Sequence, residues 1–248
     1  MIEQDIDPII ARDGAHLHVA QHVVEDPIAM VAIIHGFGEH IGRYTHVMDE
    51  LASHKISSYG IDLRGHGLSD GKKGHAPSYE LLMDDIEELL KMCRGQNTEI
   101  PLFLYGHSMG GNLVANFVLQ RPVNELQGFV LSSPWIRLAF DPPAWQQKAA
   151  NILAGVVPGL RMDNNLDASH LSKIPEVSAA YTADPLVNSK ISAGLYQMVV
   201  KAGEFALSHM SEVKLKGLVY HGYDIYRNIG DMLEFYSGSN SNLGMSRM

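Results

Sequence analysis

The sequence predicts an α/β fold: a mostly parallel sheet with helices on both faces. Three observations predict it. Short apolar runs rich in β-branched residues recur at 30–34, 57–61, 102–105, 128–131 and 218–220, as expected of strands buried on both faces. Stretches with helical spacing lie between them, and such alternation places helices over a parallel sheet with ligand chemistry at the carboxyl ends of its strands. The length of 248 residues, 46% hydrophobic and 19% charged, fits one domain over 1–248 with a full apolar core.

The elements follow in order. The segment up to Val24 contains the turn-like pair Asp13-Gly14 and is expected to form an antiparallel edge hairpin. Ser78 is placed to cap a helix that carries Leu82, Ile86, Leu89, Leu90 and Cys93 on one face. The run at 102–105 leads into a second helix, marked by Leu113, Val114, Phe117 and Val118. The rhythm then breaks. Residues 134–184 carry Pro142, Pro143, Pro158 and Pro175, two helical apolar patches and no convincing strand, the pattern of an insertion or lid over the strand ends. Helical spacing resumes at Leu195, Met198, Val199, Ala202 and Ala206, and residues 237–248, rich in Ser, Asn and Gly, are expected to be loose.

Charge and composition exclude several classes. Nineteen Lys and Arg against 28 Asp and Glu give a net charge of -9, opposite to the footprint of a nucleic-acid binder. The single cysteine, Cys93, allows neither an intrachain disulfide nor a Cys-based zinc site, which points to a reducing, cytoplasmic setting. Residues 1–7 are acidic and show no secretory pattern. The longest greasy stretch, 149–160, is broken by Gly155, Pro158 and Gly159 and falls short of the ~20 residues that span a bilayer. No His-Glu-x-x-His helix, Walker A loop or dinucleotide fingerprint is present, so neither a metal nor a cofactor is expected.

Two segments carry chemistry. Gly106-His107-Ser108-Met109-Gly110 matches G-x-S-x-G between an apolar run and a helix. In that setting the motif is a nucleophile elbow, whose tight turn needs small residues and forces Ser108 into a strained backbone. A serine that attacks a carbonyl also needs donors for the negative charge that develops on oxygen. His35-Gly36-Phe37-Gly38 follows the run at 30–34, so the backbone amides of Phe37 and Met109 are the expected oxyanion hole. His35 is expected to shape that loop.

The blocks His35-Gly36-Phe37-Gly38-Glu39-His40-Ile41-Gly42-Arg43-Tyr44, Asp62-Leu63-Arg64-Gly65-His66-Gly67-Leu68-Ser69-Asp70-Gly71 and Gly106-His107-Ser108-Met109-Gly110-Gly111 resemble the monoacylglycerol lipase and lysophospholipase-like group of α/β-hydrolases, also labelled serine aminopeptidase S33. The likeness continues through Ser132-Ser133-Pro134-Trp135 and the cap to Asp184-Pro185-Leu186-Val187, about residues 10 to 222, although Asn188 stands where the family often has His. The resemblance implies an α/β-hydrolase fold with a helical cap, 134–184, inserted after the sixth strand. It also implies metal-free cleavage of carboxylic esters of glycerol or lysophospholipids by Ser, Asp and His. The implied partners are a small acyl ester and, through the cap, peripheral contact with a membrane or lipid aggregate. The sequence fixes no oligomeric state.

The end of the chain departs from the family. After Tyr220-His221-Gly222 the family's aspartate position holds Ile225, so Asp224, one place earlier, is the candidate triad acid. Twenty-six residues follow Gly222 and none is histidine. They are too few for a helix, a strand, a histidine loop and a final helix, since a strand-helix-strand unit alone takes roughly 30 residues, so the last strand and helix are expected to be missing. His66, His75, His107, His170, His209 and His221 are each read as structural, and residues 62–70 as a turn-rich loop. The expected function is therefore a serine ester hydrolase by descent, with its C-terminal catalytic histidine lost and very low turnover. The alternatives are a non-catalytic lipid-binding or interaction protein and a truncated fragment.

Overall fold

The computed structural model describes residues 6–137, 148, 152–164, 172 and 174–221, together with the backbone of 243–247. In chain order the strands are β1 (Ile9–Ile10), β2 (His16–Leu17), β3 (Val19–His22), β4 (Ala29–Ile34), β5 (Ile56–Ile61), β6 (Leu102–His107), β7 (Gly128–Ser132), β8 (Arg161–Asp163), β9 (Lys190–Ser192), β10 (Gly217–His221) and β11 (Leu243–Arg247). The helices are α1 (Thr45–Ser53), α2 (Tyr79–Gln96), α3 (Met109–Gln120), α4 (Pro175–Ala183) and α5 (Ala193–His209).

Seven strands form the main sheet in the order β11-β10-β7-β6-β4-β5-β3. All neighbours are parallel except β3 on β5. The chain runs outward from β4 to β5, then crosses back to place β6 on the other side of β4. The order thus reverses between β4 and β6, and a crevice opens at that point at the carboxyl ends of the strands.

Period-two burial explains why both faces need helices. Met30, Ala32 and Ile34 of β4 join Leu82, Ile86 and Leu89 of α2 and Leu113 and Phe117 of α3 in one cluster. Ile33 packs on the opposite face with Ile41, Tyr44 and Met48. Each fully buried side chain of this size contributes about 1.5–3 kcal/mol relative to exposure. Ser78 caps α2 as expected, its hydroxyl accepting from Leu81 N at 3.2 Å, which satisfies one of the helix's orphan N–H groups. The hairpin β1–β2 is antiparallel across Asp13-Gly14.

Four expectations are corrected. The N-terminal segment makes three short strands where a two-stranded hairpin was expected, so the insertion follows the seventh strand in chain order, β7, and not the sixth. The insertion also contains a strand, β8, antiparallel to β9. Three residues with charged ends, Arg-Met-Asp, carry no apolar alternation, and the partner lies beyond 184. The last strand is present: β11 pairs in parallel with β10, Gly217 opposite Leu243 and His221 opposite Arg247. The unit from 217 to 247 matches the roughly 30 residues of a strand-crossover-strand. Residues 243–247 are thus ordered as strand where a loose tail was expected; the rest of 237–248 lies outside the described residues.

Candidate active site

Ser108 stands between β6 and α3 with φ 51° and ψ -114°. A non-glycine residue in this region costs on the order of 1–3 kcal/mol, and the surroundings must hold it there. They do so through the backbone. Ser108 N donates to Ser132 O at 2.9 Å, and Ser108 O accepts from Asn112 N at 3.0 Å and Trp135 N at 2.8 Å. Asn112, buried in α3, fixes the other side of Trp135 by donating from Nδ2 to Trp135 O at 2.8 Å and to Val199 O of α5 at 3.1 Å. Small residues flank the serine because the turn is crowded. A Cβ on Gly106 would meet the carbonyl of Gly110, and one on Gly110 would meet those of Ile34 and His35. The start of α3 therefore lies directly on the end of β4.

The loop after β4 faces this turn: a Cβ on Gly36 would come 3.1 Å from Ser108 Cβ. The N–H groups of Phe37 and Met109 find no acceptor among the described residues. Both belong to segments in contact at the elbow, which makes them available to a ligand oxygen. His35 is fully buried, and burial holds its pKa below the usual histidine value. Its Nε2 accepts from Leu63 N at 2.9 Å and its Nδ1 lies 2.7 Å from Gly36 O. The acceptor role of Nε2 puts the proton on Nδ1, so the ring is a neutral tie between two loops, as expected.

The 62–70 segment is a knot that supports the loop. Asp62 accepts from Ile41 N and Leu68 N, both at 2.7 Å, through different oxygens, so its carboxylate is used up in backbone contacts. Arg64 makes two bonds to buried Asp85, at 2.6 and 2.7 Å, and two to Asp13, at 2.7 and 3.3 Å. Burial opposes its charge, but these carboxylates overcome that and raise its pKa. His66 lies edge-on to Phe37 and His35. Burial, reinforced by His35, pushes its pKa down to about 3, and its Nε2 has no partner among the described residues. No group of three or more His, Cys, Asp or Glu among the described residues is placed to hold a metal.

The return limb of the insertion docks on the same loop. Asp184 Oδ2 lies 2.8 Å from His40 Nε2 and 3.8 Å from Arg43. Its pKa is lowered: burial works against this, and the bonds from His40 and Leu186 N, with Arg43 nearby, outweigh it. Arg43 also lies 4.9 Å from the centre of the Tyr181 ring, a distance that allows cation–π attraction. Gly38, at φ +77°, leaves no room for a Cβ against Asn188 O, and its own carbonyl accepts from Asn188 N at 2.7 Å. Asn188 closes its limb by donating from Nδ2 to Lys190 O at 2.8 Å. A second anchor joins Lys72 Nζ to Gly159 O at 2.7 Å and His75 Nδ1 to Ser192 Oγ at 2.9 Å.

Of the site residues expected from sequence, the structure brings Ser108, Phe37 and Met109 to adjoining segments, while Asp224 lies outside the described residues. The remaining described histidines have structural neighbours: His107 Nδ1 is 3.0 Å from Ser132 Oγ, and His209 bonds Phe205 O at 2.8 Å and stacks on its ring. His221 ends β10, and His170 lies outside the described residues. Ser108 Oγ has no hydrogen-bond partner among the described residues. Sequence reasoning gave no roles to Glu39, His40, Arg43, Tyr44 and Asp184. The available signal was a cluster of charged and aromatic residues directly behind the His-Gly-Phe-Gly turn.

The sheet order, the strained serine at a strand-to-helix turn and the loop behind it define an α/β-hydrolase. The chain belongs to the serine aminopeptidase S33 family, whose pattern matches residues 25–226. A monoacylglycerol lipase of Mycolicibacterium smegmatis is 33% identical over 79% of this chain and 70% of its own length. An uncharacterized abhydrolase domain-containing protein of Dictyostelium discoideum is 34% identical over 80% of this chain, which spans 21% of that much longer protein. The crystal structure of Paleococcus ferrophilus monoacylglycerol lipase superposes with a TM-score of 0.84 at 30% identity, covering 94% of this chain and 88% of that one. Among the described residues no helix is long and apolar enough to cross a membrane.

Proposed function

We propose that residues 1–248 form one serine ester hydrolase domain of monoacylglycerol-lipase type, with 134–184 as its cap, for monoacylglycerol or lysophospholipid-like substrates. The observation that carries this reading is Ser108, held at positive φ beside the unpaired N–H groups of Phe37 and Met109. Ser108 Oγ attacks the ester carbonyl and passes its proton to a base, while the two N–H groups hold the oxyanion. Collapse breaks the bond to the alcohol, which leaves with a proton, and water then releases the acid from the acyl-serine by the same steps in reverse. Asp224 is the residue we assign to orient the base.

Ser108 Oγ has no hydrogen-bond partner among the described residues, and residues 222–248 contain no histidine. We infer that the 248-residue polypeptide turns over slowly: loss of a triad member leaves on the order of 10³–10⁴-fold catalysis over water from the oxyanion hole and binding. That same observation favours a second reading, an acyl-ester binder without turnover. The cap supports lipid contact in either case, since Ile152, Val156, Val157, Leu160, Ile174 and Val177 are exposed, and a cytosolic setting fits the lone, buried thiol of Cys93.

Fluorophosphonate labelling and p-nitrophenyl ester hydrolysis separate these readings. The expected result is labelling of Ser108, lost in Ser108→Ala, with turnover far below the ~10 s⁻¹ typical of enzymes. A folded protein that resists labelling is a binder. Ser108-dependent turnover near ~10 s⁻¹ would mean that another histidine serves as base, with His221 and His209 the first to replace.

A further inference from the structure

We propose that Glu39 is a positioning residue for the oxyanion hole, acting on the His35–Gly36 peptide just ahead of the Phe37 N–H by hydrogen-bond acceptance and not by its charge. The proposal rests on the reading that Phe37 N–H holds the oxyanion. A single carboxylate oxygen, Glu39 Oε1, accepts from Gly36 N at 2.7 Å and from Tyr44 OH at 2.7 Å. Tyr44 is buried, and burial with the nearby carboxylate holds its phenol well above the ordinary value, so it remains a donor. Glu39 is thereby held at both ends, by the start of its loop and by a core side chain.

The consequence for Phe37 is geometric. Gly36 N is fixed by Glu39, and two residues later Gly38 O is fixed by Asn188 N at 2.7 Å. Phe37 N–H and Gly38 N–H both lack an acceptor among the described residues, but Phe37 N–H belongs to the Gly36–Phe37 peptide, which directly follows the peptide that Glu39 holds and whose carbonyl lies 2.7 Å from His35 Nδ1, and its direction follows from those two ties. A carboxylate so close to a developing oxyanion is electrostatically unfavourable. Arg43, 3.8 Å from Glu39 Oε2, offsets that charge without touching the loop's backbone. The hydrogen bond is thus what the loop needs, and the charge is a cost that the arrangement tolerates.

Replacing Glu39 in two ways separates reach from charge. E39Q keeps an oxygen at the same distance and loses the charge, whereas E39D keeps the charge and is one methylene too short. The readout is the second-order rate of Ser108 phosphonylation by a fluorophosphonate, split into a saturation constant and a limiting rate, because the phosphonyl oxygen occupies the same hole. E39Q is expected within about threefold of wild type. E39D and E39L are expected to be slower in the limiting rate by up to about 100-fold, the scale of one lost oxyanion donor, with the saturation constant unchanged. Circular dichroism and urea melts identify any variant that fails to fold, and E39Q alone then decides. E39Q falling as far as one lost donor, or E39D labelling at the wild-type rate, overturns the proposal while leaving Ser108 as nucleophile. Absence of labelling in folded wild-type protein overturns the hydrolase reading, and this proposal with it.

Discussion

At the scale of residues, strain and burial make opposite demands that can be measured separately. Ser108 has φ 51°, a conformation that glycine adopts freely. Ser108→Gly should therefore stabilise the fold by about 1 kcal/mol, the relief of strain less glycine's extra unfolded-state entropy. Urea unfolding checks this, and equal or lower stability would show that the elbow is relaxed. His66 tests burial. Its folded pKa is pushed down to about 3 against an unfolded value near 6.5, so the unfolded chain takes up the proton first. The stability it supports is complete above pH 6.5 and is lost as pH falls toward 3, by about 1.4 kcal/mol per pH unit. His66→Leu should flatten the stability curve between pH 6 and 4 even if its level drops. An unchanged slope would mean that the ring is already hydrated or charged in the folded protein.

At the scale of elements, two loops and the insertion after β7 are held to the sheet by contacts that the local sequence does not announce. Asp85 of α2 is fully buried beside Arg64, and removing it leaves the buried guanidinium with only the partly exposed Asp13 as a carboxylate partner. Asp85→Ala should cost about 3–5 kcal/mol in denaturant unfolding, and a loss under ~1 kcal/mol, the level of a surface pair, would show Arg64 to be solvated. The cap's exposed Val156 and Leu160 lead to a further expectation: Val156→Asp with Leu160→Asp should reduce co-sedimentation with lipid vesicles without altering short-chain ester binding. Unchanged vesicle binding removes the cap from lipid contact. Strands β4 to β7 and β10 were legible because each is an apolar run, and the elbow was legible because its glycines and serine are contiguous. The ties of Asp184 to His40, 144 positions apart, and the pairing of β8 with β9 were not, since neither partner leaves a periodic trace. Glu39 stood in a recognisable block, but its role depends on which backbone N–H it meets.

At the scale of the whole molecule, the site depends on the sheet continuing past the strand that precedes Asp224. Ser108 N bonds Ser132 O at the end of β7, and Ser133 N bonds Tyr220 O at the end of β10, so the elbow is braced through two successive strands. Counting residues against a full family tail suggested that nothing would cover β10. The backbone pairing of 217–221 with 243–247 covers it with five residues, because closing a sheet edge requires one further strand and its connection and nothing more. A polypeptide ending at Gly222 would expose the hydrogen-bonding edge of β10, a template for pairing with other chains. We therefore expect the 1–222 variant to self-associate in sedimentation velocity at concentrations where the 248-residue chain does not. Ser108 phosphonylation should slow with it as the brace through Tyr220 loosens. If the shortened chain sediments like the full one and labels at the same rate, β11 contributes nothing to the edge, and β7 alone suffices to hold the elbow.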